Sequence, residues 1–267
     1  MKAFSAKLNL WLKLKLKSIG YLLMKEPKPE KWVFIVGCYN SGTTLLHQLL
    51  AAHPDIGSMP NEGQFYSNQL PRGADFNLSR LWALKPELFY LDENSKSTID
   101  PLKLRREWAW FYNFPARKIL IEKTILNAAR TTWLQKNFPN AYFISLYRNG
   151  YAVAEGIHRK ENHSIQEAAT QWAVSNELLL NDTPKLKNHI TVHYEELVRN
   201  PKEIMARITS FLNCSLLSED VFESNFSIHK VESSIVDMNK SSMDRLTDEE
   251  TKIIAEIISP VMKRLNY

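Results

Sequence analysis

An apolar run, Trp32 to Val36, enters Gly37-Cys38-Tyr39-Asn40-Ser41-Gly42-Thr43-Thr44 and leaves it directly for a second apolar run, Leu45 through Leu50. A strand, a tight loop of small residues and a helix in that order constrain the fold more than any other stretch of the chain. Small residues let several backbone N–H groups converge, and the start of the following helix adds partial positive charge, so the loop is built to hold an anion. Two Thr hydroxyls stand ready to add donors. A bare Gly turn followed by a Ser/Thr helix cap is the plainer alternative, and the order strand, loop, helix argues against it.

The rest of the chain repeats the alternation. Lys118 to Ile121, Ala141 to Tyr147 and His189 to His193 read as further short strands, while Thr43–Ala52, Ala128–Asn137, Tyr151–Lys160, Ser164–Asn181, Pro201–Leu212 and Asp248–Leu265 carry helical periodicity. The pattern predicts an α/β domain, a P-loop-type parallel sheet with helices on both faces, and a ligand site at the carboxyl ends of the strands. Residues 61–112, rich in Pro and aromatics, are expected to form a variable lobe over that site.

The loop has Walker A spacing, but Thr43 occupies the position of the Walker Lys, and the strand Ala141–Tyr147 ends in Arg148 where a metal-holding Asp is expected. A metal-bound triphosphate is therefore disfavoured, although a nucleotide-kinase-like phosphotransferase stays the first rival. No Cys/His cluster has metal-ligand spacing, so no metal is expected.

Of the net charge of +5, more than all sits at the start of the chain, since residues up to Lys31 hold eight Lys against two Glu and the remainder carries −1. A basic body for nucleic acid is excluded on that distribution, and no nucleic-acid partner is expected. Residues 1–30 read as a basic amphipathic segment, Leu8 to Leu23, with a Pro27/Pro29 linker; residues 31–267 form a single domain. Peripheral membrane contact through residues 1–25 and packing against the body or a partner are both open to this segment. Two Cys give no disulfide framework and no apolar stretch reaches the roughly 18 residues of a membrane span. These features point to a cytoplasmic, or membrane-associated, location. The chain does not settle its oligomeric state.

At three places in order the chain resembles the P-loop sulfotransferases that use 3′-phosphoadenosine 5′-phosphosulfate (PAPS). Ser41-Gly42-Thr43-Thr44, its apolar helix and His53-Pro54 are similar to the family's 5′-phosphosulfate loop. Phe143 to Arg148-Asn149-Gly150 resembles the 3′-phosphate motif, and Tyr194-Glu195-Glu196-Leu197 with Pro201 and Phe211-Leu212 resembles the following conserved-type segment. The resemblance, in style nearest the tyrosylprotein and carbohydrate branches, implies a PAPS-dependent sulfotransferase. It would pass a sulfuryl group to a hydroxyl of a carbohydrate, tyrosyl peptide or other metabolite and release adenosine 3′,5′-bisphosphate.

The resemblance also implies site residues. Glu62, one short loop beyond a further short strand expected ahead of it, stands as the base for the acceptor proton, and Lys123, just past the strand Lys118 to Ile121, as the cation that counters charge on the leaving phosphate. Solvated-turn and strand-end salt-bridge roles, the latter with Glu122, are the plain readings of these two. Asn40, Ser41, Gly42, Thr43, Thr44, Arg148, Gly156, Tyr194 and Lys240 are expected around the nucleotide. For Arg148 the competing role is an ion pair with Glu155, for Tyr194 core packing, and for Lys240 a polar lead-in to the last helix. His158 and His163 are minor alternatives to Glu62. Two positions depart from the family: Asn40 stands where a Lys or Arg is usual, and Gly156 where a Ser is usual, with Arg159 one turn on as a substitute. A catalytically impaired nucleotide-binding protein is the second rival.

Overall fold

A computed structural model describes residues 24–113, 116–224, 226–228 and 231–267. The amphipathic segment 8–23, and the membrane contact expected of it, lies outside the described residues. Residues 24–30, expected as a linker, lie along the body instead: Glu26 pairs with Arg105 at 2.6 Å and Pro27 is buried.

Five strands form one parallel sheet: β1 (Lys31–Gly37), β2 (Ile56–Ser58), β3 (Ile119–Glu122), β4 (Ala141–Tyr147) and β5 (His189–His193), in the spatial order β2-β3-β1-β4-β5. All four pairings are parallel, with Phe34 opposite Glu122 on one side of β1 and Phe143 on the other. The four strand runs read from the sequence are observed, and β2, only three residues long and not among those runs, joins them at the sheet margin. Between them run α1 (Thr43–Ala51), α2 (Pro101–Ala109), α3 (Thr131–Asn137), α4 (Gly150–Glu161) and α5 (Ile165–Asp182). After β5 follow α6 (Tyr194–Arg199), α7 (Pro201–Phe211), α8 (Asp220–Glu223), a hairpin of β6 (Phe226–Ile228) and β7 (Val231–Ser233), α9 (Asn239–Met243) and α10 (Asp248–Arg264).

β1 shows why the sheet is covered twice. Its side chains alternate with period two, yet both sets are buried: Trp32, Phe34 and Val36 join the core under α4, α5 and α10, and Val33 and Ile35 join the core under α1 and α7. That is the signature of a central parallel strand, which has no solvent face. On the larger side Phe34 sits edge-on to Phe138 at 5.1 Å and stacks with Phe143 at 5.5 Å.

Residues 61–112 have little regular structure. Four short 3-10 turns and α2 make up the segment, anchored by buried Trp82, Phe89 and Trp108; only its part from Glu62 to Arg80 reaches the site, while α2 packs Trp108 against Trp32 at the start of β1. Phe34→Ala should cost about 3–5 kcal/mol, the range for a fully buried aromatic. A urea unfolding curve with a lower midpoint and an unchanged slope checks it; an unshifted midpoint would show that the aromatic stack is not the core's keystone.

Candidate active site

Because every strand of the sheet runs the same way, the five residues or loops that follow the strands open on one edge. They enclose a cleft of about 660 Å³, within the ~300–1,000 Å³ of small-molecule sites. Asn40, Gly42, Thr43, Thr44, Glu62, Lys123, Arg148, Gly156 and Tyr194 all line it, contributed by the ends of all five strands and by α4. Ser41 is fully buried within the loop.

The loop after β1 makes two left-handed turns, at Asn40 (φ 58°) and Gly42 (φ 90°). Gly42 precedes α1, and no side chain caps that helix, so its first N–H groups open towards the cleft mouth. A Cβ on Gly42 would lie 2.6 Å from the Tyr194 ring. Ser41 Oγ and Asn40 Nδ2 are buried without a hydrogen-bond partner among the described residues. Orphaned donors of this kind, at a helix start, fit a polyanionic ligand.

Arg148 follows β4 and reaches back to the loop after β1. Its Nε donates to Asn239 Oδ1 at 2.8 Å and its Nη1 to the Asn40 carbonyl at 2.6 Å, while the guanidinium stacks 4.2 Å above the Tyr194 ring. Nη2 is buried with no partner among the described residues, and burial lowers the group's pKa. The guanidinium is thus gripped on three sides and has a donor left. The competing ion pair is absent: Glu155 binds Arg159 at 2.6 Å and faces Arg245 at 3.7 Å.

Glu62 and Lys123 meet. Lys123 Nζ donates to Glu62 Oε1 at 3.0 Å, and Gln64 Nε2 to Glu62 Oε2 at 2.5 Å. The two side chains are 14% and 10% exposed, so neither has the solvated-turn character of the plain reading. Glu122, the sequence-adjacent carboxylate, turns inward and leaves Lys123 to Glu62.

A model of the sulfotransferase family matches residues 33–219. The chain belongs to that family and is a sulfotransferase. It is 24% identical over 262 residues to protein-tyrosine sulfotransferase A of Caenorhabditis elegans, covering 90% of this chain and 68% of the relative. It is 27% identical over 264 residues to protein-tyrosine sulfotransferase 1 of Danio rerio, covering 88% and 72%. Among solved structures, the sulfotransferase domain from the Synechococcus PCC 7002 olefin synthase superposes with a TM-score of 0.56 at 21% identity, over 87% of this chain and 97% of that one, a likeness of fold.

In this sulfotransferase the two departures from the family pattern face each other. A Cβ on Gly156 would come within 3.0 Å of Asn40 Nδ2, so the space a Ser would fill is taken by the Asn40 amide. Asn40 Oδ1 in turn accepts from Lys160 Nζ at 2.9 Å. Lys160, and not Arg159, is the cation that α4 brings to the cleft unpaired with a carboxylate; Arg159 spends its Nε on Glu155. Burial of its ammonium, then Arg80 and Arg159, push the Lys160 pKa down to about 8. Sequence reasoning missed Lys160, although its spacing one helical turn beyond Gly156 was the available signal.

Four other expected residues take supporting or outlying places. The Tyr194 hydroxyl donates to the Val236 carbonyl and accepts from the Met238 N–H, both at 3.1 Å, so the ring forms a wall between Gly42 and Arg148. Lys240 is 86% exposed, pairs with Asp244 at 2.7 Å on α9 and does not line the cleft, as its polar lead-in role predicts. His158 Nδ1 meets the His163 carbonyl and His163 Nε2 the Ser79 carbonyl, and neither ring lines the cleft. Glu195 was not singled out, yet its carboxylate gathers the Asn149 N–H, the Asn239 amide and the Tyr267 hydroxyl, tying α4, α9 and the C-terminus beneath Arg148. Among the described residues no three His, Cys, Asp or Glu side chains gather as a metal site.

Gly42→Ala should cost about 1–2 kcal/mol from the left-handed backbone alone, and more from the Tyr194 clash. Thermal unfolding should show the loss, with anion affinity falling alongside; a variant as stable and as tight as the parent would contradict the loop geometry.

Proposed function

We propose that the sulfotransferase uses PAPS as donor and a phenolic hydroxyl, as on a tyrosyl side chain, as acceptor. The observation that carries this reading is the 3.0 Å contact of Glu62 with Lys123 in the same cleft as the loop of Ser41 to Thr44 and Arg148. A base, a cation, an anion-binding loop and a second anion-binding arginine are the four parts that sulfuryl transfer from a 3′,5′-substituted nucleotide requires.

PAPS supplies an activated sulfuryl group: the acceptor oxygen bonds to sulfur, the bond from sulfur to the 5′-phosphate oxygen breaks, and adenosine 3′,5′-bisphosphate departs. The protein's residues do the rest by position and charge. Loop N–H groups and the Thr43 and Thr44 hydroxyls hold the 5′ end. Arg148, with one donor in reserve, and Lys160 hold the 3′-phosphate, the lysine replacing the hydrogen bond that Gly156 lacks. Glu62 takes the acceptor proton, and a phenol, with a pKa near ~10, yields it more readily than an aliphatic alcohol. Lys123 has three donors and spends one on Glu62, leaving others for the oxygen on which charge develops.

Two further observations favour a phenol over a sugar. The rim of the cleft carries apolar side chains well out in solvent, Phe65 at 47%, Met238 at 49% and Val236 at 51% exposed, which suit an aromatic ring. Both curated relatives described above are named for action on protein tyrosine. The phosphotransferase rival has no support in the site, where Thr43 and Arg148 occupy the positions its lysine and metal-binding aspartate need.

Glu62→Gln should abolish turnover while sparing binding of the bisphosphate by calorimetry; retained turnover would remove Glu62 as base. Arg148→Ala should weaken the bisphosphate by about 10–100-fold, the worth of a charge-assisted hydrogen bond, and leave AMP unchanged. Equal losses for both nucleotides would contradict the 3′-phosphate assignment.

A further inference from the structure

Glu122 closes β3, is 1% exposed, and lies behind the cleft lining. Its Oε1 accepts the Gly63 N–H at 2.8 Å and the Thr124 hydroxyl, and its Oε2 accepts the Asn127 amide. Gly63 follows Glu62 directly. The Gly63 carbonyl is held as well, by Trp108 Nε1 at 3.0 Å, and the next N–H, of Gln64, donates to Thr124 Oγ1 at 3.3 Å. There is no slack in this clamp: a Cβ on Gly63 would lie 2.8 Å from Glu122 Oε1 and 2.7 Å from Trp108 Cε2.

A carboxylate this buried is retained only where its oxygens are satisfied. Here the satisfying groups are the backbone of the turn that carries the base and two side chains just past Lys123. Burial raises the Glu122 pKa to about 7, Thr124 and Gly63 oppose that rise through their hydrogen bonds, and Arg130, itself fully buried, opposes it by charge. One carboxylate therefore determines both where Glu62 stands and where the chain carrying Lys123 runs.

We propose that Glu122 is a positioning residue for sulfuryl transfer, holding the turn at Gly63 so that the Glu62 carboxylate meets the Lys123 ammonium. The inference rests on the reading of Glu62 as base. Glu122 touches neither donor nor acceptor, so its removal should lower kcat and leave nucleotide binding alone.

The test uses the full chain, with PAPS and a tyrosyl peptide for kinetics and adenosine 3′,5′-bisphosphate for calorimetry. Glu122→Ala should lower kcat about a hundredfold, the effect of roughly 1 Å of misplacement at a reacting group. KM for PAPS and the bisphosphate Kd should stay within about twofold, since only transition-state interactions are lost. Glu122→Gln keeps an oxygen for the Gly63 N–H and should recover most of the rate. Gly63→Ala disturbs the same contact from the other side and should reproduce the Glu122→Ala split, which decides the matter if Glu122→Ala does not fold. An unimpaired kcat in Glu122→Ala or Gly63→Ala, or a loss of kcat and bisphosphate affinity together with no recovery in Glu122→Gln, would overturn the proposal. Full turnover in Glu62→Gln would overturn the base and this inference with it, whereas an inactive Glu62→Gln beside an unimpaired Gly63→Ala would remove the inference alone.

Discussion

The parallel pairing of β1 between β3 and β4 governs everything at the site. Backbone hydrogen bonds on both sides of Lys31–Gly37 bring the end of β3, with Lys123, and the end of β4, with Arg148, to either flank of the loop that leaves β1. β2 at one margin and β5 at the other add Glu62 and Tyr194 to the same edge. No long side chain has to search for its partner. The register fixes the cleft, and the aromatic core beneath Phe34 makes the register expensive to change.

That is why so much of the fold was legible. Strand runs such as Ala141–Tyr147, and helices marked by apolar periodicity, are local features, and parallel topology turns local features into a shared edge. What stayed hidden depends on contacts distant in sequence. Lys160 is an ordinary helix lysine until the Asn40 side-chain oxygen, 120 residues away, accepts a hydrogen bond from it. Glu122 reads as a strand-end charge beside Lys123, and only the Gly63 turn shows why it is buried. Glu195 looks like one of two acids starting a helix, and its three partners come from three other parts of the chain. The hairpin Phe226–Ile228 with Val231–Ser233 and the short α9 lack the length that gives periodicity a signal.

The departures at positions 40 and 156 look like two separate losses in the sequence and like one exchange in three dimensions. A small residue at 156 admits the Asn40 amide, and Asn40 adopts the left-handed backbone that asparagine tolerates better than most residues. Its side-chain Oδ1 accepts a hydrogen bond from Lys160 on α4. The amide that occupies the space beside Gly156 thus also seats a cation from α4. The cleft is lined by cations in a body whose charge outside the N-terminal segment is −1, so its positive character comes from placement and not from bulk charge.

The central claim is that Glu62, Lys123, Arg148 and the loop after β1 act together on a sulfuryl donor. Incubation of the full chain with sulfur-labelled PAPS and matched peptides that differ only in Tyr, Ser or Phe at one position tests it most directly. The account predicts label on the Tyr peptide, little on the Ser peptide, none on the Phe peptide, and release of adenosine 3′,5′-bisphosphate in equal amount. Label on the Ser peptide in preference to Tyr, or intact PAPS in the presence of every hydroxyl offered, would contradict it.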